Sequence, residues 1–152
     1  MQVTKRQLTS KQLLLISAGG LIISLVLHVL AVLKIYNSAI VLIITLTGGI
    51  LFVWFEAGGQ IKKFQKEGAT SASWRTAAAL CPAWLKYLTI FFIFYAVFNF
   101  TANVETQPSD GYLNFNISWA RMKIISGFWM AFYMYGIAAG YVSLKREEEG
   151  YN

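Results

Sequence analysis

Residues 13–33 read LLLISAGGLIISLVLHVLAVL, and this stretch decides the fold. It holds no Asp, Glu, Lys or Arg. As a helix rising about 1.5 Å per residue it covers about 30 Å, the hydrocarbon thickness of a bilayer. Three further runs share its character: Ile35–Phe55, Pro82–Phe100 and Lys123–Leu144, none with an acid in its middle. Together they predict an all-α membrane protein, a four-transmembrane-helix antiparallel bundle making one integral membrane domain over residues 1–152. No small-residue cleavage site follows the first run, so it reads as a retained span rather than a removed signal peptide.

Composition agrees with that class. Hydrophobic residues make up 57% of the 152 and charged residues 13%, far from the balance of a soluble domain. The net charge of +6 raises nucleic acid as a partner, but its placement argues against one. Lys5, Arg6, Lys11, Lys62, Lys63, Lys66, Arg75, Lys86, Lys145 and Arg146 fall on one side of the spans, against Lys34, Arg121 and Lys123 on the other. The positive-inside rule then puts both termini and the middle loop in the cytoplasm. The partner of this charge is the lipid bilayer, through its anionic headgroups.

Between spans one and two, Lys34–Ser38 is short enough to force a helical hairpin. The middle loop carries a basic stretch to Glu67, then Gly68, then a short cytoplasmic helix capped by Ser71 or Ser73 and running to Leu80. Pro82 fits the first turn of span three. The outer loop, Thr101–Ala120, contains a turn signal at Pro108–Gly111. After it Leu113, Phe115, Ile117 and Trp119 alternate with polar residues, the period of a half-buried strand. Such a stretch either rests its apolar side on the bilayer surface or pairs with another chain. Tyr112, Phe115, Ile117 and Trp119 are the candidate partner-binding residues of this loop.

Small residues recur at one depth. Gly19 and Gly20 in span one, Gly48 and Gly49 in span two, and Gly136 and Gly140 in span four all lie about 8–14 Å inside the inner boundary. Helices in lipid associate by close packing and hydrogen bonds, which small residues permit. The six glycines are therefore candidate helix-packing positions, bordered by Ser17, Ser24 and Thr45 as hydrogen-bonding groups. One reading pinches a single bundle together there. The other turns Gly136 and Gly140 outward to drive self-association. In span three, Tyr87, Phe91, Phe94, Tyr95 and Phe98 form an aromatic stripe at helical spacing.

His28 is the one histidine, in the outer half of span one. A polar residue at that depth is a functional candidate, and register brings Thr45, Tyr95 and Ser126 within its reach. The plainer reading is a neutral imidazole bonded to neighbouring helices. No catalytic arrangement can be assembled: Glu105 and Asp110 lie in the loop, Cys81 is the single cysteine, and no glycine-rich phosphate loop or paired metal ligands occur. The expectation is a protein without enzymatic activity, cofactor or metal.

Two stretches carry a resemblance: Cys81-Pro82-Ala83-Trp84-Leu85-Lys86-Tyr87 and Gly127-Phe128-Trp129-Met130-Ala131-Phe132-Tyr133. They resemble a family of small, uncharacterised bacterial four-span inner-membrane proteins, whose members read Gly-His-Trp-Met where this chain has Phe128. The resemblance implies a bacterial cytoplasmic membrane and supplies no activity. The functional expectation is a protein that binds a partner in the membrane or periplasm, as accessory subunit or immunity protein. The alternative is a small homo-oligomeric channel or transporter with Ser17, Ser24, His28, Thr45 and Asn99 along a polar path.

Overall fold

The structure, a computed structural model, describes residues 8–35, 40–63, 80–104 and 118–149. Among them every regular element is a helix: α1 (Ser10–Val32), α2 (Ile40–Lys63), α3 (Ala83–Asn103) and α4 (Trp119–Glu148). Local chemistry sets the ends. Thr9 caps α1 in a reciprocal box with Gln12, which satisfies two backbone donors at the first turn. The helix closes with Lys34 N–H donating to Ala31 O and Ile35 N–H to Leu30 O, and Lys34 takes a left-handed φ of 58°. Pro82 stands as the N-cap of α3, one position before its first turn. Ser118 caps α4 by accepting from Arg121 N–H, while Lys145 and Arg146 complement the dipole at its far end.

Three helices are long and apolar enough to cross a membrane: α1, α2 over Ile44–Lys62, and α3. This is a membrane protein. Its surface is built accordingly, with Leu15, Ile22, Val26, Phe55, Phe91 and Phe94 among many large apolar side chains turned outward. Its interior holds Ser17, Ser24, His28, Asn99 and Ser126.

α4 is long enough to cross but more polar, and packing explains why. It alone packs against all three other helices, α1 most extensively, and α3 has no other substantial neighbour. A helix wrapped by protein needs no lipid-facing apolar surface. Phe128 is the one large apolar side chain exposed on α4. Along α1 and α4 the contacts run in opposite order: Ser10 meets Glu147, Leu14 meets Gly140, Gly20 meets Tyr133 and His28 meets Ser126. Ser10, Ser17, Ser24 and Ala31 are buried at seven-residue intervals along α1. Of these, Ser10 bonds to Glu147 and Ser17 lies against Gly136, so this face of α1 lies on α4.

The expected capped helix running to Leu80 lies outside the described residues except at Leu80. So do Tyr112, Phe115 and Ile117. Trp119 departs from the strand reading: it opens α4, because Ser118 supplies the cap that starts a helix there.

Candidate functional site

The polar centre of the molecule lies where α1, α3 and α4 meet. His28 Nδ1 is 2.8 Å from Ser126 Oγ and Nε2 is 2.6 Å from Tyr95 Oη. Ser126 Oγ also lies 2.6 Å from Met122 O. A serine has one hydroxyl proton, and a carbonyl oxygen only accepts, so that proton goes to Met122 O. Ser126 Oγ then accepts from Nδ1–H, and the neutral ring accepts at Nε2 from the Tyr95 hydroxyl. The three groups form one directed chain, Tyr95 to His28 to Ser126 to the α4 backbone. Tyr95 completes it with an edge contact to the imidazole and a stacked contact to Phe91.

Of the residues expected around His28, the structure brings in Tyr95 and Ser126 but not Thr45. Both ring nitrogens are engaged, and Thr45 lies exposed on α2. The aromatic stripe of α3 divides the same way. Tyr95 turns inward to the histidine, whereas Tyr87, Phe91, Phe94 and Phe98 face outward. A double-mutant cycle on His28→Ala and Tyr95→Phe, read by denaturant unfolding in detergent, should give a coupling of about 1 kcal/mol. Strict additivity would mean the bond contributes nothing.

The glycine layer lies deeper. Gly20 lies against one edge of the Tyr133 ring and Gly49 against its hydroxyl, leaving no room for a methyl, and Tyr133 Oη donates to Leu46 O at 3.0 Å. Gly136 faces Ser17 and Val53, and Gly140 lies 3.1–3.2 Å, measured from an ideal Cβ, from the Leu14 backbone. Gly136 and Gly140 thus point into the bundle, which removes the reading in which they drive self-association. Gly19 and Gly48 are corrected as packing positions: a Cβ at either meets nothing within 4 Å. Neighbouring helix positions point about 100° apart, so each Gly-Gly pair can offer only one member to the core. The bordering serines do not bond across helices as expected. Ser24 Oγ donates to Gly20 O in its own helix, the usual option for a helical hydroxyl, and Ser17 Oγ has no partner.

Two features escaped the sequence reading. Tyr133 joins three helices, yet nothing in its local sequence separates it from the neighbouring aromatics. At the basic end, Glu56 accepts from Leu8 N–H, Gln60 donates to Leu8 O and Ser10 donates to Glu147.

Cys81 is buried beside Leu85, Met134 and Val142. Burial pushes its thiol up, with Lys86 opposing in part. The thiolate is the reactive form, so a raised pKa leaves less of it at a given pH. Maleimide should modify Cys81 slowly at pH 7 and about tenfold faster per pH unit toward 9, and rapidly at any of these values once the protein is unfolded. Equal rates before and after unfolding would contradict this burial.

Among the described residues no group of three or more His, Cys, Asp and Glu converges to hold a metal. Comparisons with protein-family models, with curated proteins and with solved structures return no match.

Proposed function

We propose that this chain is a non-enzymatic, four-span membrane protein that works by binding a partner within the bilayer. α4 would form the fourth span, giving an up-and-down antiparallel bundle with both termini in the cytoplasm of a bacterial inner membrane. The basic residues at the start of α1 and the ends of α2 and α4 support that orientation. The observation that carries the functional reading is the contrast between the interior and α3. Inside, both nitrogens of His28 and the hydroxyls of Ser126 and Tyr133 are engaged with protein groups. α3, held by α4 and the Tyr95 bond, presents Trp84, Phe91, Phe94 and Phe98 outward. Aromatic side chains of this kind anchor interfaces.

Photocrosslinking in cells tests it. A photoreactive residue at Phe94, where the ring is 69% exposed, should yield a discrete protein adduct, while one at Ile22 of α1 should yield lipid adducts alone. Lipid adducts alone at Phe91, Phe94 and Phe98 would overturn the proposal. A homo-oligomeric channel has less support. Thr45 is exposed, Asn99 bonds to its own helix, and the glycine contacts close the α1–α4 seam.

A further inference from the structure

We propose that the groove along α4 between α2 and α3 binds a lipid-soluble quinone. α2 and α3 both pack on α4 but share no substantial contact, so one side of α4 lies between them. Phe128, Phe132 and Tyr135 occupy that side at helical spacing. Phe128 meets Phe100 of α3, while Phe132 and Tyr135 meet Trp54 of α2, with ring centroids 5.4–6.1 Å apart. Five aromatic rings thus line the groove, and Trp54 still exposes 51% of its surface.

Two polar groups in this lining select the ligand. Tyr95 and Tyr133 bond to His28 and Leu46, but Tyr135 Oη has no hydrogen-bond partner among the described residues, nor has Trp54 Nε1. Tyr135 is half-buried, with its hydroxyl still reachable from outside. Trp54 lies eight residues before Lys62, about 12 Å deeper along α2 and inside the hydrocarbon. At that depth a bare donor costs free energy that an accepting ligand recovers. An indole N–H only donates, so a ligand that accepts suits both groups. Acyl chains carry no acceptor, and phospholipid ester carbonyls sit at the shallower headgroup boundary. A quinone brings carbonyl oxygens on a flat ring, and its tail keeps it in the hydrocarbon. The ring stacks on the exposed indole while Tyr135 donates to a carbonyl. A helix seated here would be held off α4 by the five aromatic side chains, whereas a flat ring packs against their faces. This groove is separate from the outward face of α3, so the ligand and the protein partner stand or fall independently.

The test is quenching of tryptophan fluorescence by a short-tailed benzoquinone titrated into the full chain in detergent. Quenching should contain a saturating part above the linear rise that the micelle itself gives. Trp54→Phe should abolish the saturating part. Tyr135→Phe should weaken it about fivefold, the loss of one hydrogen bond. That variant should fold as the parent does, because the hydroxyl ties no other part of the described chain. A benzene with the same tail and no carbonyl should compete poorly. Absence of a saturating part would overturn the proposal, as would unchanged affinity in Tyr135→Phe or equal competition by the carbonyl-free compound. A protein adduct from a photoreactive residue at Phe128 in cells would assign the groove to a helix and overturn it as well.

Discussion

Gly140→Leu should leave no folded monomer in mild detergent. A Cβ at this position meets the Leu14 backbone nitrogen and Cα at 3.1 and 3.2 Å, and backbone cannot rotate aside as a side chain can. The whole α1–α4 seam would have to open, and that seam is the largest in the molecule. In lipid there is no hydrophobic force between helices to offset the loss of close packing. Overpacking a well-filled core commonly costs about 1–3 kcal/mol, and a leucine against fixed backbone lies at or beyond the top of that range. Gly19→Leu and Gly48→Leu are the matched controls, because both positions face open space. They should fold as the parent does. Circular dichroism and gel filtration in detergent check all three, and a folded Gly140→Leu monomer would show the seam to be looser than described.

Tyr133→Ala should have the second largest effect. The ring fills the gap that Gly20 and Gly49 leave open, and its hydroxyl donates to Leu46 O. One side chain thereby ties α4 to α1 and α2. Removing a buried aromatic ring costs about 3–5 kcal/mol, since the cavity collapses only in part. Tyr133→Phe keeps the ring and removes only the bond, so it should cost about 1 kcal/mol. Equilibrium unfolding of the two variants measures the difference. If both lose the same amount, the hydrogen bond rather than the packing dominates.

These two positions show what the sequence could and could not reveal. Residues 13–33 announce a membrane helix because lipid-facing residues must be apolar, and that constraint is readable one residue at a time. The His28 neighbourhood was partly legible for a related reason: polar groups in an apolar span seek partners at their own depth, which brought Tyr95 and Ser126 into view. Thr45 entered on the same argument and was misplaced, because depth says nothing about which way a helix is rotated. Rotation also separates Gly20 from Gly19 and Gly49 from Gly48. The seven-residue spacing of Ser10, Ser17, Ser24 and Ala31 carries that missing rotation, since it marks the face that α4 covers. α4 is harder to read. Being wrapped on several sides, it has exchanged lipid-facing apolar residues for Ser126, Gly136, Tyr133 and Gly140, and so resembles a soluble helix in hydropathy.

The central proposal is that α4, the helix against which the other three pack, also crosses the membrane. Single cysteines at Arg121 and Glu148, one at each end of α4, test it most directly in a Cys81→Ser background. A membrane-impermeant thiol reagent applied to intact cells should label the cysteine at 121 and spare the one at 148 until the membrane is breached. Labelling of both positions, or of neither, would contradict the account.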